Sequence, residues 1–306
     1  MPDFSSTNLK KQQQETVDFY QAFAPLKELK AELTSAPEMS SDKLFSIVNR
    51  KLSLSALLPL LKYELAQYAS SSTYASPAAA ILSGALSGWA LINNNHYFVV
   101  LLALDAVDFA SQKKLGKISH AINFQPGDMC LNILKSDGLA CSRWQAPLID
   151  DEHPATAELA CAKLDEKTYR KGDKIVCAGG TEAVCYEKVL SPTLLLQTYA
   201  RNNKTGVMAD YDPVTHKLMR LSAADQRSTR LQVLNTVMRL MGRTDAVPTM
   251  KKLLTHKDHF VRWQTAREMI ALAPDQAPDM LETLAAKDPN ALVRSSARKT
   301  LNMLFS

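Results

Sequence analysis

The residues DAVPTMKKLLTHKD at 245–258 return at an offset of 30 as DQAPDMLETLAAKD at 275–288. Asp245 and Asp275, Pro248 and Pro278, Met250 and Met280, Leu254 and Leu284, Lys257 and Lys287, and Asp258 and Asp288 match across the two copies. Each copy runs on into a second apolar stretch containing Val-Arg, at Val261-Arg262 and Val293-Arg294, where an insertion in one loop has moved the offset to 32. Residues 227–241 read as the second helix of an earlier, incomplete repeat. A helix pair of this kind has one apolar stripe that it cannot bury alone, so neighbouring pairs must stack. Pro248 and Pro278 stand where a helix starts, a position that needs no amide donor. Asp258 and Asp288 close one helix and prepare the next.

On the stretches KDHFVRWQTA (257–266) and KDPNALVRSSA (287–297), this segment resembles HEAT-like repeats, including the short versions found in bilin-lyase-type proteins. The resemblance spans about 80 of the 306 residues. It implies an α-solenoid and a binding role, and no particular chemistry, because the fold hosts many functions.

Upstream the pattern changes. Between about Gly88 and Ser222, short β-branched and aromatic runs recur: His96–Leu104, Met129–Leu134, Leu139–Trp144, Lys174–Ala178, Glu182–Lys188, Thr193–Ala200, Val207–Tyr211 and Lys217–Leu221. Asp137-Gly138, Gly179-Gly180, Asn202-Asn203 and Asp212-Pro213 supply turns between them. Short strands at this spacing predict an antiparallel β-sandwich or barrel. Pro126-Gly127-Asp128 and Lys171-Gly172-Asp173 each open what reads as a hairpin, 45 residues apart, ending near Pro147 and Pro192. Through Pro-Gly-Asp and the hairpin after it, this region looks like a cupin-type β-barrel. Metal-holding cupins carry a closely spaced His-x-His, which this sequence lacks, so no metal site is carried over.

The first 87 residues read as helical. Leu26, Leu29 and Leu33, and then Leu57, Leu58, Leu61 and Leu65, recur at helix spacing. Ser41 or Asp42 can cap a helix through Phe45, Ile47 and Val48, and Ser70–Thr73 breaks the chain before a small-residue helix. The expected class is therefore α+β: a helical region at 1–87, a β-domain at 88–222 and helical repeats at 223–306.

The net charge of +5 is unevenly placed. Residues 1–87 hold eight Lys/Arg and eight Asp/Glu, and residues 88–222 hold fifteen of each. Residues 223–306 hold thirteen Lys/Arg against eight Asp/Glu, so the whole excess lies in the repeats. This bias suits an acidic partner but falls short of a dedicated nucleic-acid domain. The weakly polar run Ala78–Ile92 is too short for a bilayer, which needs about 20 apolar residues. The N-terminal residues lack the apolar core of a secretory signal. Five cysteines without a CxxC pair read as reduced thiols, and the expected compartment is the cytoplasm.

Several residue groups have chemistry to offer. His256 and His259 form HxxH across an inter-helix turn, with no third ligand nearby, and read as turn residues. Arg262 has two roles open to it, an ion pair inside the stack with an Asp such as Asp258, or a partner contact beside Trp263 and Arg267. Asp105 and Asp108 could pair as acid and base, and their position after an apolar run equally suits the start of a short helix. Cys141 and Cys185 read as small core residues beside Trp144, with a nucleophile or redox pair as the other option. Asp150-Asp151-Glu152-His153 reads as a solvated acidic loop. No Walker loop, GxGxxG, GxSxG or HExxH occurs.

The leading expectation is a non-catalytic binding or assembly protein, requiring no cofactor. Its helical repeats would present Arg230, His259, Arg262, Trp263 and Arg267 to a peptide, protein or acidic ligand. The alternative is an enzyme with a small-molecule pocket in the β-domain drawn from His96, His120, Glu182 and Tyr186. Nucleic-acid binding through the basic repeats ranks third.

Overall fold

The computed structural model describes residues 6–35, 39–83, 85–115, 121–150, 153, 155–156 and 158–305. Four helices come first: α1 (Ser6–Ala22), α2 (Ala24–Thr34), α3 (Ser41–Lys51) and α4 (Leu54–Ser70). Leu26, Leu29 and Leu33 form the buried stripe of α2. The cap of α3 is Ser40, whose hydroxyl accepts from the Lys43 amide, while Asp42 sits in the first turn and Arg50 and Lys51 in the last, each sign at the favourable end of the helix dipole. In α4 the inward face is Leu57, Leu60 and Glu64. Leu58 and Leu65 point outward, 45% and 71% exposed, so the leucine spacing gave the helix but misplaced its buried side. No single helix among the described residues is long and apolar enough to cross a membrane.

Twelve strands follow among the described residues. The first three are β1 (Ala79–Ser83), β2 (Leu86–Asn93) and β3 (Tyr97–Leu104), after which comes the short helix α5 (Ala106–Lys114). Then come β4 (Ile122–Phe124), β5 (Met129–Lys135), β6 (Leu139–Gln145), β7 (Ala162–Tyr169), β8 (Lys174–Cys177), β9 (Glu182–Val189), β10 (Thr193–Ala200), β11 (Val207–Tyr211) and β12 (Leu218–Ala223). They form a six-stranded sheet, β1-β2-β3-β10-β5-β8, and two three-stranded sheets, β12-β11-β4 and β7-β6-β9. The sheets are open, and the β-region is a layered sandwich.

The small-residue helix expected after Thr73 is instead the antiparallel pair β1–β2. Gly88 shows why small residues gather there: a Cβ at that position would lie 2.1 Å from the Leu101 carbonyl oxygen of β3. The two expected hairpins are also corrected. β5 and β8 lie in the large sheet, β6 and β9 in a small one, so each turn carries the chain from one sheet to the other. The two units then pair with each other, Leu131 opposite Ile175 in β5–β8 and Cys141 opposite Tyr186 in β6–β9. Their entry turns differ as well. Gly172 takes a left-handed φ of +93°, whereas Gly127 is a close approach whose Cβ would lie 2.0 Å from the Ala200 carbonyl oxygen.

The large sheet is covered on both faces. Helices α2–α4 pack on one through Val99, Leu101, Cys130 and Leu196. Val100, Leu102, Leu131, Ile133 and Leu195 face the opposite way and meet Leu139, Cys141 and Val189 of the β7-β6-β9 sheet. Double burial is why β3 reads as an unbroken apolar run and lacks the alternation of a half-buried strand. A third cluster, including Phe124, Trp144, Ala183 and Tyr211, joins the β12-β11-β4 sheet to β6 and β9.

One carboxylate ties the N-terminal helices to the sandwich. Asp128, 8% exposed, accepts from the Gly179 amide (2.8 Å), Ser41 Oγ of α3 (2.7 Å) and Asn202 Nδ2 (2.8 Å), and lies 2.7 Å from Lys204 Nζ. Burial alone would raise its pKa; the Gly179 amide, Lys204, Ser41 and Asn202 outweigh it and hold the carboxyl at about 2. With the folded value depressed, this stabilisation is complete above about pH 4 and is lost as the pH falls towards 2. Asp128→Asn should therefore lose about 2 kcal/mol of stability at pH 7 and flatten the acid limb of the stability curve. Urea unfolding from pH 6 to pH 2 checks this, and parallel curves for the two proteins would contradict it.

Candidate functional site

The chain ends in five helices, α6 (Gln226–Leu240), α7 (Val247–Leu253), α8 (His259–Leu272), α9 (Ala277–Lys287) and α10 (Ala291–Phe305). One-turn 3-10 helices at Thr244–Ala246 and Pro274–Gln276 lead into α7 and α9, whose first turns contain Pro248 and Pro278. Two α-α pairs and the lone second helix α6 enclose a core that includes Val247, Met250, Ala266, Met269, Leu281, Leu284, Val293 and Ala297.

Buried polar groups fix how the helices stack. Ser228 Oγ donates to Asp258 (2.6 Å) and Asn235 Nδ2 to Thr265 Oγ1 (2.8 Å), each spanning 30 residues, so α6 and α8 lie in the register of the repeat. Arg262 is 3% exposed and grips Asp288 with two bonds, Nε to Oδ2 at 2.8 Å and Nη2 to Oδ1 at 2.7 Å. Its Nη1 donates to the carbonyls of His256 and Lys257, and Arg294 repeats the move on those of Asp288 and Pro289. Each arginine thus satisfies carbonyl oxygens in the turn after the preceding helix. Arg262 is therefore withdrawn from the set of partner contacts: it is buried as an internal tie, made to Asp288 of the next repeat. Glu268 of α8 accepts from Thr236 Oγ1 and Gln264 Nε2 and pairs with Arg239 of α6. Burial would raise its pKa, but Thr236 and Arg239 outweigh that and lower it.

With the register fixed, the outer face of the second helices can be read off. On α6, Arg230, Val233, Leu234, Val237 and Met241 share one face and are all exposed. Their counterparts 30 residues on are Phe260, Trp263, Gln264, Arg267 and Ala271 of α8. Trp263 is half-buried against the stack core, and Phe260 packs on the sandwich cluster. At the 32-residue offset, α10 continues the face with Leu292, Lys299 and Met303, all exposed. His259 lies at the start of α8 with its ring edge-on to Phe260, centroids 5.5 Å apart. Arg230, Trp263 and Arg267 thus belong to one surface. The exposed apolar residues of α6 and α10 are additions that sequence reading passed over, although their i, i+3, i+4, i+7 spacing was visible.

Of the described β-domain candidates, Glu182 and Tyr186 lie on β9 and His96 lies outside the strands. His96 is exposed in the turn before β3, and Tyr186 lies against the apolar cluster between two sheets, where burial raises its pKa. Glu182 accepts from the Ala178 amide at 3.1 Å and lies 3.6 Å from Arg143. His120 is outside the described residues. Burial pushes the thiols of Cys141 and Cys185 up to about 12, which suits core residues and not a nucleophile. Asp105 caps α5, accepting from the amides of Val107 and Asp108. Asp150 accepts from the His153 amide across its loop, while Asp151 and Glu152 lie outside the described residues. His256 Nδ1 accepts from the Asp258 amide, a turn role. Among the described residues, no group of three His, Cys, Asp or Glu side chains could hold a metal ion.

Residues 216–302 match the family of HEAT repeats. No characterised protein matches the chain by sequence. Among solved structures, the chain is similar to an RmlC-like cupin from Shewanella frigidimarina, 8% identical over 43% of this chain and 91% of that one, with a TM-score of 0.24. A cupin superfamily protein from Desulfitobacterium hafniense is 10% identical over 39% and 81%, TM-score 0.22. The cupin domain of Cnp3 from Schizosaccharomyces pombe is 8% identical over 40% and 67%, TM-score 0.24.

In the HEAT stack, Glu268→Ala should strip partners from Arg239, Thr236 and Gln264 and cost about 1–3 kcal/mol. Thermal unfolding measures this, and an unchanged midpoint would mean that the α6–α8 polar ladder contributes nothing.

Proposed function

We propose that this is a cytoplasmic, non-catalytic binding protein whose HEAT stack holds a polypeptide partner on the outer face of α6, α8 and α10. The observation that carries the reading is the exposed apolar stripe of α6 and its C-cap: Val233, Leu234, Val237 and Met241 are 37–60% exposed. Contiguous apolar residues on a surface helix, rimmed by charge, mark an interaction site. α6 is also the lone helix of the stack, with no first helix of its own, so nothing in its repeat covers this face. Five free cysteines suit a reducing compartment.

A benzoylphenylalanine photo-crosslinker in place of Val237, activated in the native cell, should give a discrete polypeptide adduct. The same group in place of Thr283, exposed on α9, should not. An absence of adducts at 237, or identical adducts at both sites, would overturn the proposal.

A further inference from the structure

Resting on the proposed docking face, we infer that the occupant is an acidic amphipathic helix. The charge of the stack is segregated by helix. α6 and α10 contain no Asp or Glu, and α8 contains only Glu268, which Arg239 neutralises. The other acidic residues within the α-helices of the stack are on α9, at Asp279 and Glu282, with Asp245 and Asp275 in the 3-10 turns that lead into α7 and α9. Among the described residues, Arg230, Arg267 and Lys299 have no ion-pair partner. They stand one on each second helix, around the apolar positions Val233, Val237, Met241 and Met303.

A partner that fits this face must bring apolar side chains for its centre and carboxylates for its rim. It must also satisfy its own backbone. A packed helix presents no unpaired amide or carbonyl along its side, so an extended peptide would lose its backbone hydrogen bonds to water and gain none. A helix carries them internally and offers a stripe at i, i+3, i+4 and i+7. From Arg230 to Met241 the face runs about 16 Å, and three helices side by side span about 20 Å. About four turns of helix cover it. The apolar centre is a poor match for a phosphate backbone, and few aromatic side chains stand out to enter a membrane.

The test uses the full chain and fluorescently labelled 18-residue peptides: one with Leu at i, i+3, i+4 and i+7 flanked by Glu, the same pattern flanked by Lys or by Gln, and a scrambled acidic peptide. Vesicles with and without phosphatidylserine are the comparison. The acidic amphipathic peptide should bind at least tenfold tighter than the other three, and weaken with salt. Arg267→Glu and Arg230→Glu should each cut its affinity severalfold, while Lys252→Glu on α7 should leave it unchanged. Equal binding of the Lys or Gln peptide, blocked by Val237→Asp, would overturn the acidic partner and leave the docking face standing. If no peptide binds and the crosslinker also captures nothing, both fall. Binding confined to phosphatidylserine vesicles, or to the scrambled peptide as strongly, would likewise overturn the helix.

Discussion

The buried pair Arg262–Asp288 is the constraint on which the functional part of the molecule depends. Two charges out of water are costly unless their geometry is good and their remaining valences are met. Here they are met: three guanidinium nitrogens bond at 2.7–3.0 Å to Asp288 and to two carbonyls, and Asp288 Oδ1 also accepts from the Asn290 amide. The pair links the second helix of one repeat to the loop between helices of the next. Because both partners lose so much when separated, the offset between repeats is held to one value. Parting Arg262 from Asp288 would free α10 to move against α8, and with it the exposed Leu292, Lys299 and Met303.

Buried polar ties serve other junctions of the chain in a similar way. Asp128 joins α3 to three turns of the sandwich, and Asp258 meets Ser228 where Phe260 enters the sandwich cluster. Gly206 is close by, and a Cβ there would lie 3.0 Å from an Asp258 oxygen. Apolar burial supplies most of the driving force at each junction, and the polar tie selects the geometry.

Much of this was legible because the repeat writes its own spacing into the chain. The matches at Pro248 and Pro278 and at Val261 and Val293 placed five helices, and runs such as His96–Leu104 placed the buried strands. What escaped has physical causes. β7 reads Ala-Lys-Leu-Asp-Glu-Lys-Thr-Tyr and was missed because edge strands are kept charged against aggregation. β1 and β2 look helical because close strand contact at Gly88 selects the small residues that also suit helices. Arg262 was half-read: its spacing announced a structural arginine, but Asp288, which it grips, lies in the next repeat, and a single sequence does not display contacts across 26 residues. At the face, Arg230, Trp263 and Arg267 were visible as residue types. The exposed leucines and valines of α6 were not, because an apolar stripe at helix spacing ordinarily means core.

Hydrogen exchange on the Arg262→Met protein tests the role of that ion pair most directly. If the pair fixes the last repeat, amides of α9 and α10 should lose protection by a hundredfold or more, while those of β3, β5 and β10 keep theirs. Retained protection across α10 in the variant would contradict it and leave apolar packing alone as what holds the repeats in register.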